Sequence, residues 1–124
     1  MVKMWLISGA VFAMLAVILG AFGAHALKSI LSEHGSEIYQ TAVQYQMYHG
    51  FALIAAGLLQ QAWPSLNLNP AGWCFIAGIM LFSGSLYILA GTSIRFIGMI
   101  TPVGGLLFIG GWLWIIVQLV RAQL

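Results

Sequence analysis

Charged residues are so sparse along this chain that they mark out its elements. Residues 4–27, 38–94 and 96–120 form stretches of 24, 57 and 25 residues without a formal charge, flanked or interrupted only by Lys3, Lys28, Glu33, Glu37, Arg95 and Arg121. A hydrocarbon layer about 30 Å thick is crossed by roughly 20 apolar residues in helical form. The outer stretches each hold one such helix. The central one holds two, divided by Trp63-Pro64 and by the turn residues Asn67, Asn69 and Pro70. The pattern therefore predicts helices over about residues 4–27, 37–62, 71–90 and 96–120. Gly35 reads as a helix stop and Ser36 as an N-cap, which starts the second helix at Glu37. Gly91-Thr92-Ser93 with Arg95 makes a short polar connection, and Pro102 among Gly98, Gly104 and Gly105 bends the first half of the last helix. The expected fold is all-α: a polytopic membrane protein built as an antiparallel four-helix transmembrane bundle, one transmembrane domain over residues 1–124.

Composition removes the competing classes. At 124 residues a soluble domain has too much surface for its volume to bury a chain that is 62% hydrophobic and 5% charged. The net charge of +2 is dispersed, with no basic run to meet a phosphate backbone. A single cysteine, Cys74, excludes an internal disulfide and offers no metal-ligand spacing. Lys3, an apolar run and Ala24-His25-Ala26 imitate a secretory signal. That run exceeds the usual apolar core of roughly 7–15 residues, so it reads as the first spanning helix. Lys3 and Arg121 fall on one side and Lys28 and Arg95 on the other, a tie under the positive-inside rule. The reading adopted puts the termini in the cytoplasm.

Small residues supply a packing pattern. Gly9, Ala13, Ala16, Gly20 and Ala24 share one face of the first helix, with Gly23 beside them. Gly50 and Gly57 in the second helix, and Ala77, Gly84 and Gly91 in the third, recur every seven residues. Lipid gives no hydrophobic drive to helix association, so close approach over such stripes is expected to hold the bundle together.

Antiparallel threading brings the end of helix one, the start of helix two, the end of helix three and the start of helix four to one membrane face. Most polar residues belong to those segments. Thr41, Tyr45 and His49 form one line at spacing four, and Gln40, Gln44 and Tyr48 form another. A ribbon this polar is costly against hydrocarbon and should face the bundle interior or a pocket. The candidate site is the cluster His25, Gln44, Tyr45, Tyr48, His49 and Arg95, with His25 and His49 able to approach one another across the first two helices. Three uses are open: hydrogen bonds tying helices together; a half-buried pocket for a lipid headgroup, quinone or small solute, or a proton path through histidine; or a haem or metal held between two histidines. Glu33 and Glu37 are the only carboxylates and sit at the interface. No nucleophile has a base beside it, so no enzyme is expected.

Two strings, Gly20-Ala-Phe-Gly-Ala-His25-Ala-Leu-Lys28 and Thr41-Ala-Val-Gln44-Tyr45-Gln46-Met-Tyr48-His49, resemble the signature of the domain of unknown function 423 family of small membrane proteins. That family has bacterial inner-membrane members and a eukaryotic branch of small transmembrane proteins. The resemblance extends through Gly84-Ser85 and Pro102-Gly104-Gly105, and so over the whole chain. It implies a four-helix bundle in a bacterial inner membrane and carries over no activity, cofactor or catalytic residue. The resulting expectation is a small accessory or ligand-binding membrane protein, working through its polar cluster, alone, as a homo-oligomer or in a larger membrane complex. The alternatives are a transporter or channel subunit with His25, His49 and Arg95 lining a vestibule, and a bis-histidine haem bundle.

Overall fold

The computed structural model describes residues 1–124 and consists of four helices joined by short connections: α1 (Val2–His25), α2 (Glu33–Ala62), α3 (Asn69–Gly91) and α4 (Arg95–Arg121). α1, α3 and α4 are long and apolar enough to cross a membrane. α2 is the longest, at 30 residues, but its central amides, tyrosines and histidine set it apart from the other three. It packs along α1 from Gly23 against Tyr39 at one end to Leu6 against Gly57 at the other, so it passes through whatever depth α1 passes through. α3 packs on the other side of α2, and α4 packs on α3.

Helix boundaries differ instructively from the expected ones. α2 begins at Glu33, not Glu37: Ser32 is the N-cap, its hydroxyl accepting from the Gly35 N–H at 3.0 Å. Gly35 does not stop a helix; it lies buried inside the first turn, where an added Cβ would sit 2.7 Å from Ala90 O. The glycine is there for close approach to the end of α3. Pro102 sits in the first turn of a fresh α-helical segment from Thr101, after a 3-10 turn over Arg95–Met99, and so begins the straight part of α4.

The glycine pattern divides. Gly9 and Gly50 bring α1 and α2 into backbone contact, since a Cβ on Gly9 would lie 2.6 Å from Gly50 O and one on Gly50 3.1 Å from Gly9 O. Gly20, Gly23 and Gly57 also face the α1–α2 seam. Gly84 and Gly91, expected to pack, have nothing within 4 Å of a Cβ. The reason lies one turn earlier: α3 opens into a π-helical turn over Ile79–Ser83, where the Gly84 N–H bonds Ile79 O five residues back. That extra residue rotates the second half of α3 and breaks the seven-residue repeat. The glycines that receive side chains from neighbouring helices are instead Gly72 under Trp5, Gly78 under Phe108, Gly104 under Phe82 and Gly111 under Phe75.

Hydrogen bonds between helices complete the bundle. Gln46, 3% exposed, donates from Nε2 to Phe12 O of α1 at 2.9 Å and accepts from the Tyr87 hydroxyl of α3 at 2.7 Å. The Ser83 hydroxyl donates to Ala42 O at 2.8 Å, and the hydroxyls of Ser85 and Thr101 pair at 2.5 Å between α3 and α4. The Tyr39 hydroxyl donates to Leu19 O at 2.6 Å. At the opposite end, where polar residues are fewer, Asn69 Oδ1 accepts from both Trp5 and Gln60, and Gln60 Oε1 accepts from the Leu68 N–H. This clamp covers a hydrophobic core that includes Trp5, Leu53, Leu66, Leu68 and Phe75.

Two stability outcomes follow. Gly104→Ala would push a methyl into the Phe82 backbone and should destabilise the bundle by about 1–3 kcal/mol, as overpacking does. Gly84→Ala, with open space, should be neutral or gain up to ~1 kcal/mol of helix propensity, both read by thermal unfolding in detergent. Gln46→Leu should lower the melting temperature, and adding Tyr87→Phe should remove little more, because an interhelical hydrogen bond of about 1 kcal/mol is lost only once. Strictly additive losses in that double-mutant cycle would show that the two side chains act separately.

Candidate functional site

The six residues expected to form one cluster separate into an interior position and several exposed ones. His49 is 4% exposed and lies close to the middle of α2. Its ring stacks on Phe108 of α4 with centroids 3.5 Å apart and planes 6° from parallel, and Phe75 and Trp112 close the box. Nε2 accepts from the Trp112 indole N–H at 3.1 Å, which leaves the proton on Nδ1 to be donated to Tyr45 O at 2.8 Å. Both ring nitrogens are engaged. His49 thus joins α2 to α4 through aromatic side chains that fill the gap between the two backbones.

His25 is nowhere near it. Gly9 lies against Gly50, while His25 sits beyond Gly23, which lies against Tyr39. The sixteen residues from Gly9 to His25 amount to about 24 Å of helix, so the expected His25–His49 approach does not occur. The cause is the register of the hairpin. A connection of only seven residues, Ala26–Ser32, places the start of α2, not its middle, beside the end of α1. His25 and Arg95 are exposed at the membrane end, whereas His49 is buried. Within one chain the two histidines are therefore too far apart to ligate a single haem. Gln44, Tyr45 and Tyr48 are exposed on the flank of α2. Gln46 and Tyr87, which carry the central polar contact, were not among the expected site residues. Gln46 sits between the two polar lines of α2, and only the tertiary fold turns it inward.

A cleft of about 660 Å³ opens where the last turns of α1 part from the first turns of α2. Its floor is Gly20, Gly23 and Ala24; its α2 wall is Tyr39, Gln40, Val43 and Gln44, with Lys28, Glu33 and Ser36 towards the membrane end. The glycines make it. With no side chain on α1 at these turns, Tyr39 lies over Gly23 and Val43 over Gly20, and the remaining width stays open. Tyr39 is held by its hydrogen bond to Leu19 O. Lys28, Gln40 and Gln44 make no side-chain hydrogen bond within the protein, in contrast to Gln46, His49, Ser83, Ser85 and Tyr87 inside the bundle. The cleft is therefore where unsatisfied polar groups and space coincide. His25, its neighbour in sequence, lies outside the lining.

Comparison with known proteins agrees with this architecture. The family model described as "Protein of unknown function (DUF423)" matches residues 19–105, a span containing both the cleft and the Gln46–Tyr87 contact. A UPF0382 membrane protein of Staphylococcus haemolyticus (strain JCSC1435) is 51% identical over 116 residues, covering 94% of this chain and 94% of the relative. The UPF0382 membrane protein YwdK of Bacillus subtilis (strain 168) is 45% identical over 120 residues, covering 96% and 98%. No solved structure matches. With the matched residues, the helical bundle and the membrane-protein relatives in agreement, the chain is an integral membrane protein belonging to the DUF423 family.

Proposed function

We propose that this protein is a small membrane-embedded binding protein, not an enzyme, and that it takes the head of an amphiphile into the α1–α2 cleft. The observation that carries the reading is the coincidence of about 660 Å³ of space with polar side chains that have no partner in the protein. The buried polar groups Gln46, His49, Ser83, Ser85 and Tyr87, by contrast, are all hydrogen-bonded within the bundle. The cleft is also graded. Gly20, Gly23, Ala24 and Val43 lie towards the membrane interior, and Lys28, Glu33 and Ser36 towards the end of the bundle. An amphiphile entering from the lipid matches that gradient, with its chain along the glycine floor and its head among the Lys28 ammonium and the Gln40 and Gln44 amides. Pockets for small molecules generally combine a mainly apolar lining with a few polar groups in this way. The same reading makes the protein an accessory of the bacterial inner (cell) membrane with both termini cytoplasmic. The bacterial membrane-protein relatives support the location.

Native mass spectrometry of protein released from mild detergent tests the binding. The expected spectrum shows a discrete excess mass that disappears in Lys28→Ala/Gln40→Leu and persists in Arg95→Ala, a charge at the same end but outside the cleft. A bare protein mass, or equal loss in both variants, would reject the reading. For orientation, a fluorescent protein fused after Leu124 should be bright and an alkaline phosphatase at the same place inactive; the reverse pair puts the termini outside.

A further inference from the structure

Three of the four helices present only apolar residues to the lipid through their central turns. The exposed residues of α1 between Met4 and Ala24, of α3 between Trp73 and Ile88, and of α4 between Pro102 and Val120 are all hydrocarbon, thioether, proline or tryptophan, and the Trp112 N–H is already bonded to His49. α2 is the exception. Its outward stripe is Gln44, Tyr48, Phe51, Ala55 and Leu58, with Tyr45 alongside, and Tyr45 and Tyr48 are 37% and 54% exposed. Tyr48 is the sixteenth of the 30 residues of α2, two residues beyond Gln46, whose contact with Phe12 fixes the middle of the hairpin. The packing of α2 along the spanning helix α1 sets the two tyrosines at mid-helix depth, away from the headgroup belt where tyrosine is normally found. Neither phenol hydroxyl has a hydrogen-bond partner in the chain; the two rings pack on each other at 5.8 Å and Tyr45 on Phe82 at 4.7 Å. An unpaired hydroxyl or amide against hydrocarbon is costly, so this face requires a cover that supplies donors and acceptors.

We propose that the cover is a second copy of this chain, packed α2 against α2. The groups are complementary to themselves: an amide and a phenol each both donate and accept. Copies inserted the same way round are related by a two-fold axis along the bilayer normal, so each residue of the stripe meets its own counterpart or a near neighbour. Gln44, Tyr48, Phe51, Ala55 and Leu58 follow one another at spacings of four, three, four and three. That is the alternation of a continuous helix–helix seam. Ala55 is the small residue that lets the backbones approach below the polar turns. Gln44 borders both the stripe and the amphiphile cleft, whereas the tyrosines, Phe51 and Ala55 lie outside the cleft, so substitutions at these last positions test the interface separately from ligand binding.

Disulfide trapping in native membranes tests it, using the full chain with Cys74→Ala and single cysteines at Phe51→Cys or Ala55→Cys. Val17→Cys on α1 and Leu113→Cys on α4, both lipid-exposed, serve as controls. Copper-phenanthroline oxidation should yield a band of two copies from the α2 positions and none from the controls. In the uncrosslinked protein, Tyr45→Phe/Tyr48→Phe keeps both rings and should weaken dimerisation about tenfold, read by single-molecule photobleaching in vesicles over a range of protein-to-lipid ratios. Crosslinking at the α2 positions no stronger than at the controls would overturn the proposal. So would an adduct that mass spectrometry identifies as another protein, or dimerisation untouched by loss of the two hydroxyls.

Discussion

Within a lipid bilayer a polar group has no water to fall back on, and the arrangement of α2 follows from that constraint. Gln46 meets it by reaching in two directions at once, its amide nitrogen to the backbone of α1 and its oxygen to Tyr87 of α3. One side chain thereby sets the relative height of three helices. A slip of one turn in either hairpin would leave an amide or a phenol unpaired at the centre of the membrane, a penalty larger than the gain from any alternative packing of apolar surface. His49 extends the same logic to α4. Its two nitrogens are matched by a carbonyl on its own helix and an indole N–H across the gap, so the fourth helix is held to α2 by an aromatic box.

Close packing and hydrogen bonding divide the work between them. Where α1 meets α2, glycines at Gly9 and Gly50 bring the two backbones into contact, and dispersion accumulates along the seam. Where α4 meets α3, two glycines receive phenylalanine rings, Phe108 on Gly78 and Phe75 on Gly111, and Gly104 comes up against the Phe82 backbone. The π turn at Ile79–Ser83 makes this second pattern possible, since it rotates α3 so that Ser83 faces α2 while Ser85 reaches Thr101 of α4. Near the membrane end of the α1–α2 seam, glycine takes a different part. Gly20 and Gly23 help leave a cleft, because the facing side chains do not fill the width that α1 vacates there.

Both features that point outward from the bundle, the cleft and the exposed stripe of α2, belong to the one helix that is not sufficiently apolar to be recognised as a span by composition. The two facts have one cause. A helix that carries Gln40, Gln44, Tyr45, Gln46, Tyr48 and His49 along three turns can bury only some of them between its neighbours. Gln46 and His49 occupy the interior; the others are left for ligand, lipid headgroup or partner.

Much of the architecture was legible in the sequence because a membrane imposes a simple rule on composition. The spacing of six charged residues and one Trp-Pro break suffices to delimit four helices and their antiparallel order, and two polar strings suffice to suggest the family. The glycines of the α1–α2 seam were legible for the same reason, as a face at helical spacing. What the sequence could not reveal was register. The seven-residue connection sets Tyr39, not His49, against the last turns of α1 and leaves His49 in the middle of the bundle. The π turn in α3 changes which glycines touch anything at all. Composition and periodicity fix which segments are helices, since those depend on neighbours in sequence. Which polar residue faces inward depends on how far one helix slides and turns against the next, and only the joint satisfaction of hydrogen bonds among α1, α2, α3 and α4 decides that.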